Sequence, residues 1–324
     1  MKPTLQEIAR QCGVSVATVS RALAGSPRIS ADTRRRILMC ARRTGYRSDA
    51  CRTVALIVPH FSFGGYFGGL LERLYRELAP SGFMPVVISA EHLEVLEQQE
   101  FCGAISLMAQ SGLEAYWGRR HAMPLVCINT SPRHLDGIYT VGSNDEQGMR
   151  LALDHLLKLG HRRIGRLGGI NSFGDPNNWN SYARDRTFRA VMAQHGLPEE
   201  LYAAPGDDDF ADAVKSLLDR GITALIILNE GMELVTLHTL RLLGKRVPED
   251  ISVIAWSQPG VAGHLVPPPA SLEQDFGALV RRSCELFRKL LAGEPVSDDV
   301  LIDYRFRPRS GTAPANDRPV KNDR

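Results

Sequence analysis

The chain of 324 residues has no hydrophobic run near the roughly 20 residues that a membrane-spanning helix requires. Its N-terminal segment, MKPTLQEIARQ, lacks the apolar core of a secretory signal. These absences predict a cytoplasmic protein with no membrane partner. The phosphate-binding spacings GxGxxG and GxxxxGK[ST] and a nucleophile-elbow sequence are also missing, which argues against an enzyme.

Cysteine is sparse, and no two cysteines have the CxxC spacing of a metal or redox motif. Most of the six lie in apolar segments, which favours reduced thiols in the core over disulfides or metal ligands. We therefore predict neither a metal site nor a cofactor. The cysteines are Cys12, Cys40, Cys51, Cys102, Cys127 and Cys284.

Charge is small overall but unevenly distributed. The formal net charge is +3, yet residues 1–47 contain ten basic and two acidic side chains, about +8, and the remainder carries about −5. A small basic segment on a mildly acidic body is typical of a nucleic-acid-binding protein. A basic face that is merely solvated is the alternative.

Two short helices with clear start signals are predicted near the N-terminus. Thr4 and Glu7 have the spacing of a capping box, in which the threonine oxygen accepts from a free amide and the glutamate reaches back. Gly13 allows the left-handed turn that ends the first helix. Ser15 caps a second helix over about 16–24. Small and apolar residues are spaced to pack the two helices across this turn: Ile8, Ala9, Cys12, Val14, Val19 and Ala22.

The outer face of the second helix predicts a DNA-reading surface. Steps of about 100° per residue place Val16, Ala17 and Arg21 opposite the packed side. The two small residues can contact base edges or thymine methyl groups, and Arg21 can form a bidentate contact with guanine. Polar groups around this helix, with arginines of a third helix over 33–43, are predicted to hold DNA phosphates: Thr4, Ser15, Thr18, Ser20, Arg34, Arg35 and Arg36. An ordinary basic three-helix bundle is the alternative.

The segments TLQEIARQCGVSVATVSRAL, RISADTRRRI and TGY closely resemble the DNA-binding domain of the LacI/GalR family of bacterial transcriptional regulators. In that family the positions matching Val16, Ala17 and Arg21 read bases. The resemblance implies a homodimer on a roughly palindromic operator of double-stranded DNA.

Seven short apolar runs alternate with amphipathic segments after residue 46. Such alternation indicates parallel sheets covered by helices on both faces, and the number of units favours two α/β lobes. Ligands of these folds bind beyond the carboxyl ends of the strands, here in a cleft between the lobes. The runs are 54–58, 85–89, 103–108, 125–129, 224–228, 251–256 and 300–304.

The family resemblance continues through VGSNDEQGMRLALDHLLKLGHRRIGRLGG and LLGKRVPEDISVIAW to about residue 312. It implies a body like a periplasmic sugar-binding protein, with chain crossings near residues 160, 270 and 298. It also implies a small-molecule effector, held by an arginine at 184 and an aromatic wall. The implied effector residues are Tyr66, Phe67, Gln147, Arg184, Asn229, Trp256 and Ser257.

Three departures from the family pattern bear on the effector. Ser257 replaces the aspartate that accepts sugar hydroxyls, Glu230 replaces the aspartate of an Asn-Asp pair, and Pro-Ala-Ser at 269–271 replaces Leu-Thr-Thr. Retaining Arg184 without that acceptor suits an anionic or less hydroxylated ligand better than a neutral sugar. A sugar derivative and an anionic metabolite both stay open as effectors.

The predicted linker, residues 47–53, is short and contains no leucine that could wedge into the minor groove. One hypothesis is that the family's central DNA kink is weak or absent; the alternative is an abbreviated hinge with altered operator spacing. The predicted organisation is thus a helix-turn-helix domain over 1–46, this linker, a two-lobed body over 54–310 and a disordered tail over 311–324.

The sequence as a whole predicts a DNA-binding regulator, a repressor in function, controlled by an effector between the lobes. Three alternative functions differ in how well they fit the sequence. An α/β enzyme lacks its motifs, and a solute-binding protein would not explain the basic N-terminal domain. A regulator whose body only dimerises, with no small effector, is compatible with Glu230 and Ser257.

Overall fold

The structure, a computed structural model, describes residues 4–44, 46, 51–60, 64–98, 100–107, 113, 117, 123–130, 138–168, 179–205, 209–296 and 300–316. Most of the predicted linker and residues 317–324 of the predicted tail lie outside these ranges. The chain divides into two compact units. The first unit contains residues 1–142 and 277–300, and the second unit contains residues 143–276 and 301–324.

Three helices form the N-terminal domain of the first unit, as the sequence predicts. Gly13 has the left-handed φ of 64° that lets its backbone amide cap the first helix. Ser15 Oγ accepts from the amide of Thr18 at 3.1 Å, which confirms the predicted cap, and Ser30 Oγ accepts from the amide of Thr33 at 3.2 Å at the start of the third helix. The helices are α1 (Leu5–Cys12), α2 (Val16–Leu23) and α3 (Ala31–Thr44).

The predicted capping box at the start of α1 is only half formed. Thr4 Oγ1 accepts from the amide of Glu7 at 3.3 Å. The Glu7 carboxylate points along the helix, where its Oε1 accepts from Arg10 at 2.8 Å and from Gln11 at 2.9 Å. A charged donor one turn away competes with the backbone amide for the same oxygen.

The remainder of the first unit is built around a six-stranded sheet in the order β11-β5-β4-β3-β1-β2. The pairs β1–β2, β1–β3, β3–β4 and β4–β5 are parallel, as continuous apolar runs predict. The elements are β1 (Thr53–Val58), α4 (Gly65–Leu78), β2 (Met84–Ser89), β3 (Gly103–Leu107), β4 (Leu125–Ile128), β5 (Ile138–Ser143), α9 (Phe276–Ala292) and β11 (Val300–Ile302), with short 3₁₀ turns at Ala79–Ser81 and Ala90–Glu97.

The second unit has its own six-stranded sheet, in the order β12-β10-β9-β8-β6-β7. Its strands are parallel except for β12, which pairs antiparallel with β10 at the edge. The elements are α5 (Asp145–Lys158), β6 (Ile164–Leu167), α6 (Trp179–Gln194), β7 (Tyr202–Ala203), α7 (Phe210–Asp219), β8 (Ala224–Ile227), α8 (Glu233–Leu242), β9 (Ser252–Ser257), β10 (Ala270–Glu273) and β12 (Arg305–Arg307).

The first chain crossing comes earlier than predicted. The units divide after residues 142, 276 and 300, whereas the sequence suggested crossings near 160, 270 and 298. The cause is α5, whose apolar side, from Met149 to Leu156, packs in the core of the second unit against Phe188 and Trp256. A helix that buries this face must belong to the unit whose core it fills.

The prediction of a disordered tail from residue 311 is wrong for residues 311–316. Gly311 O accepts from the amide of Val253 at 2.8 Å, and the amide of Ala313 donates to Ser252 Oγ at 3.0 Å. The amide of Ala315 donates to Leu159 O at 2.8 Å. The polar composition suggested disorder, but these backbone groups complete bonds at the edge of the second unit.

The buried side chain of His161 contacts the backbone of this tail. Its Nε2 lies 3.0 Å from the carbonyl oxygen of Ala313, and its Nδ1 lies 2.9 Å from Thr223 Oγ1. Burial lowers the pKa of His161 from its usual 6.5, although the Ala313 carbonyl opposes this shift. The folded protein therefore holds the ring neutral at a pH where the unfolded chain binds a proton.

We expect the thermal stability of the protein to fall as the pH drops below about 6.5, because protonation then favours the unfolded chain. His161→Gln keeps a hydrogen-bonding side chain but removes the titration. Melting temperatures of both proteins at about pH 7.5 and pH 5.5 check this. The drop between the two pH values is expected to be smaller for the variant, and an equal drop would contradict a role for His161.

Candidate functional site

The predicted DNA-reading face of α2 is open to solvent. Val16 is 40% exposed, and Ala17 and Arg21 are also exposed. On the opposite side of the same helix, Val19 and Ala22 are buried in the domain core. The helix therefore shows two small residues and one arginine on an unobstructed surface, which is the shape required to enter a major groove.

Some of the residues predicted to hold DNA phosphates also stabilise the ends of helices. Thr4 and Ser15 cap helices, and the Ser15 and Thr18 hydroxyl oxygens lie 2.8 Å apart. Ser20 is exposed on α2. Each cap side chain accepts from one of the free amides at its helix start, so the other amides stay available to an anion. Their DNA contacts stay predictions.

The three consecutive arginines of α3 each make a bond within the first unit. Arg34 Nη2 donates to Ser26 O at 2.7 Å, and Arg36 Nη2 donates to Cys12 O at 3.1 Å, so both fix turns beside α2. Arg35 pairs with the buried carboxylate of Glu97 at 3.0 Å. A guanidinium has five N–H donors, so one such bond leaves others for a phosphate.

The predicted effector residues of the first unit lie at the start of α4 and beside the end of β4. Tyr66 and Phe67 meet edge to face with ring centroids 5.3 Å apart, and Phe67 also contacts His60. The Asn129 amide donates to the Tyr66 hydroxyl. Asn129 has a φ of 53°, a left-handed value that asparagine tolerates better than most residues. It was missed because the sequence shows only a strand ending in asparagine.

Arg184 lies in the second unit and is 7% exposed. Its Nε donates to Asp145 Oδ1 at 2.6 Å, its Nη2 donates to the Tyr304 hydroxyl at 2.9 Å, and its Nη1 donates to the Leu228 carbonyl. Its guanidinium carbon also lies 4.7 Å from the ring centroid of Trp256. The arginine predicted to grip an effector is thus held mainly by its own unit.

Asp145 and Tyr304 are two further site residues that sequence reasoning missed. The Tyr304 hydroxyl donates to Asp145 Oδ1 at 2.9 Å, which closes a triangle with Arg184. Both polar atoms of the Gln147 side chain bond the backbone of Tyr304: Nε2 donates to Tyr304 O at 3.3 Å, and Oε1 accepts from the amide of Tyr304 at 3.0 Å. Gln147, predicted to bind effector, therefore fixes the position of Tyr304. The only available signal for Asp145 was its place directly after Asn144, the cap of α5.

A second cluster of polar side chains lies at the carboxyl ends of β8, β9 and β10. Gln274 Nε2 donates to Glu230 Oε1 at 3.1 Å, and Ser143 Oγ donates to Gln274 Oε1 at 3.1 Å. Burial, with the nearby charge of Glu233, raises the pKa of Glu230 to about 7, while Arg184 acts in the opposite direction. Asn229 is half-buried beside it.

Ser257 and Trp256, at the end of β9, are fully buried. The Ser257 hydroxyl donates to the carbonyl of its neighbour Gln258 at 3.4 Å. Asp145, Glu230 and Glu233, together with Arg184 and Trp256, are called the polar face of the second unit below. Their carboxyl groups supply acceptors although Ser257 stands where the family has an aspartate.

Four buried polar atoms of this face have no hydrogen-bond partner among the described residues. Three are carboxylate oxygens and one is an indole nitrogen, so the face has three unused acceptors and one unused donor. Buried polar groups are normally paired, so such atoms indicate where a ligand or water bonds. The atoms are Asp145 Oδ2, Glu230 Oε2, Glu233 Oε1 and Trp256 Nε1.

Two profile matches cover much of the chain. Residues 4–49 match a profile described as "Bacterial regulatory proteins, lacI family", and residues 153–312 match a "Periplasmic binding protein-like domain". Within the described residues, every helix is too short or too polar to span a lipid bilayer. A helix-turn-helix domain on a body of two parallel-sheet units is the architecture of a DNA-binding transcriptional regulator. This chain belongs to the LacI family of such regulators.

Relatives and solved structures share this organisation over nearly the full chain. The regulator MalR of Streptomyces coelicolor is 27% identical, over 91% of this chain and 92% of its own length. The regulator AscG of Escherichia coli is 28% identical, over 83% of this chain and 86% of its own. The structure of a regulator CelR–cellobiose complex matches with a TM-score of 0.69 and 25% identity, covering 96% of this chain and all of that one. A lac repressor dimer bound to operator matches with a TM-score of 0.69 at 20% identity, covering 97% of this chain and all of that one.

Proposed function

We propose that this regulator acts in the cytoplasm as a homodimeric repressor, that it binds a roughly palindromic operator, and that a small molecule bound between its two lobes controls it. The observation that carries the DNA-binding part is the exposed face of Val16, Ala17 and Arg21 on a helix whose other side is buried. The basic charge of residues 1–47 supplies attraction to phosphates. The protein needs no catalytic group, metal or cofactor for this role.

Selection of duplexes from a random pool, followed by fluorescence anisotropy on the enriched sequence, tests this proposal. The enriched sequence is expected to be a palindrome, and sedimentation is expected to show two protein chains per duplex. The logarithm of the binding constant is expected to fall with the logarithm of salt concentration, by a slope of about 1 for each phosphate neutralised. Equal binding to all duplexes at physiological salt would overturn the proposal.

The polar face of the second unit favours a hydroxylated, neutral effector over an anionic one. Arg184 already donates to three oxygens of its own unit, and its charge is balanced by Asp145. The unused atoms are mainly acceptors, which need a ligand that donates hydrogen bonds. An added anion would meet the carboxylate of Glu233 and, above about pH 7, that of Glu230, a repulsion that a sugar hydroxyl avoids. The similarity to a cellobiose-bound regulator supports the same choice.

A thermal-shift screen with matched neutral sugars, sugar acids and sugar phosphates distinguishes the two effector classes. We expect a neutral sugar to raise the melting temperature and to change operator affinity, with no response to the acids and phosphates. Tight binding of a phosphate or carboxylate ligand would restore the anionic hypothesis. Glu233→Gln keeps the size of the side chain and is expected to weaken the response to the active sugar.

A regulator whose body only dimerises is the second candidate. The internal bonds of Arg184 favour it, because an arginine that is already satisfied requires no ligand. Operator binding that is insensitive to every compound in the screen would support this candidate, whereas any sugar that changes operator affinity excludes it.

A further inference from the structure

The first unit contains two pairs of neighbouring cysteines that differ in their surroundings. Cys12 and Cys40 are 9% and 2% exposed and belong to the core of the N-terminal domain. Cys51 and Cys102, called the junction pair below, lie where the chain leaves that domain and begins its first sheet. Cys51 is half-buried, and Cys102 is 4% exposed.

The backbone holds the junction pair together. The amide of Cys102 donates to Thr53 O at 2.9 Å, directly before the parallel pairing of β1 with β3. Cys51 Sγ lies 3.6 Å from the carbonyl oxygen of Glu100, two residues before Cys102. The two cysteines thus lie just before neighbouring parallel strands, where a small side-chain movement can bring their sulfur atoms within bonding distance.

Access to Cys51 comes from a cavity of about 490 Å³ between the N-terminal domain and the sheet of the same unit. Its lining includes Ser20 and Leu23 of α2, Tyr46, Cys51 and Arg52. A small oxidant that enters this cavity meets Cys51 before the buried Cys102. The junction pair thus has an attacking thiol that a small oxidant can reach through the cavity, with a more deeply buried second thiol near it.

The thiol pKa values also distinguish Cys51 from the more deeply buried cysteines. The hydrogen bond from Cys102 lowers the pKa of Cys51, and the charge of Arg52 contributes, although burial and Glu100 oppose the shift. Burial raises the pKa of Cys12 to about 11 and that of Cys284 to about 12. The thiolate is the reactive form, so Cys51 is favoured over these two thiols as the nucleophile.

We propose that the junction pair is an oxidation site, at which a peroxide converts Cys51 and Cys102 into a reversible disulfide. The Cys51 thiolate attacks one peroxide oxygen, the O–O bond breaks, and protonation of the departing oxygen gives one water and a sulfenic acid. The Cys102 sulfur then attacks the Cys51 sulfur, and the sulfenic hydroxyl leaves as a second water with the Cys102 proton. Two thiols are oxidised and one hydrogen peroxide is reduced to two waters, and a dithiol reductant reverses the bond.

The disulfide would tie the chain covalently to the first sheet close to the DNA-binding domain, whose last helix, α3, ends at Thr44. The oxidation itself does not depend on operator binding, and its failure leaves the proposed regulator function intact.

Differential alkylation of the full-length folded protein tests the oxidation. After brief exposure to hydrogen peroxide, free thiols are blocked, disulfides are reduced and the released thiols are labelled with a second reagent for mass mapping. We expect the second label on Cys51 and Cys102 in equal amounts. Cys51 is also expected to react with a thiol reagent at least about tenfold faster than Cys284, since the thiolate fraction changes tenfold per pKa unit.

Two serine variants keep the test decisive. In Cys102→Ser, Cys51 has no second thiol, and its sulfenic acid is expected to be trapped by a dimedone probe. In Cys51→Ser, Cys102 is expected to remain reduced.

Cys127→Ser, which alters a buried thiol of the same sheet, serves as the control and is expected to leave the disulfide unchanged. Circular dichroism verifies that each variant is folded. Oxidation of Cys12 and Cys40 first, or a folded wild-type protein with no second label on the junction pair, would overturn the proposal.

Discussion

Replacing Arg21 with alanine is expected to weaken operator binding by about 1–3 kcal/mol and to relax the preference at one base position of each half-site. The side chain is exposed on α2 beside Val16 and Ala17, where a guanidinium can form two hydrogen bonds to one guanine. Losing this contact removes discrimination at that base as well as affinity. Anisotropy titrations against the selected operator and its single-base variants measure both quantities at one salt concentration.

The matched control is Arg10→Ala, which removes the same charge from the same domain. The Arg10 side chain is 77% exposed on α1 and pairs with Glu7 on its own helix. Its loss is expected to weaken binding to all duplexes slightly and equally, because it acts only through general attraction to phosphates. If Arg21→Ala behaved like this control, with an equal loss on every sequence, Arg21 would not read a base.

Replacing Arg184 with methionine is expected to lower the free energy of unfolding of the second unit by about 3–5 kcal/mol. The Asp145 side chain is 1% exposed, so removal of the cation leaves a buried carboxylate without its partner. The Tyr304 hydroxyl and the Leu228 carbonyl each lose a donor as well. Urea unfolding followed by tryptophan fluorescence measures the change, since Trp256 lies against the guanidinium.

Arg189→Met on the same helix is the control for this experiment. Arg189 pairs with Asp185 at 2.9 Å but is 47% exposed, so its loss is expected to change stability by at most about 1 kcal/mol. The double variant Arg184→Met with Asp145→Asn removes both charges and is expected to recover part of the loss. Equal effects at positions 184 and 189 would show that the buried pair does not stabilise the second unit.

Local rules predicted the N-terminal domain well because its signals lie a few residues apart. The caps at Ser15 and Ser30 and the left-handed Gly13 each follow from the residue type and its immediate neighbours. The parallel sheets were likewise predictable, since their strands are buried on both faces and read as continuous apolar runs. The LacI/GalR resemblance pointed to the correct family for the same reason, through contiguous motifs.

The polar face of the second unit was less predictable because distant segments build it. Asp145, Arg184 and Tyr304 come from three different parts of the chain, and no short pattern reveals that they meet. The sequence suggested that losing an aspartate at Ser257 would leave Arg184 to attract an anion. The sequence could not show that the guanidinium of Arg184 already bonds Asp145, or that Glu230 and Glu233 place two more carboxyl groups near it. The residue roles in effector binding stay predictions.

The tail also shows where composition misleads. Pro, Asn and charged residues after position 308 suggest a disordered end, yet disorder is a property of segments that find no partner. The partners here are Val253, Ser252 and Leu159, which are remote in sequence.

These tail bonds have a genetic consequence. A premature stop codon at position 311 would remove residues 311–316, which make these bonds. It would leave the Val253 amide without its acceptor and the His161 ring without the Ala313 carbonyl. A nonsense allele that ends the chain before residue 311 should therefore lower the stability of the second unit, which the melting temperature of the truncated protein measures.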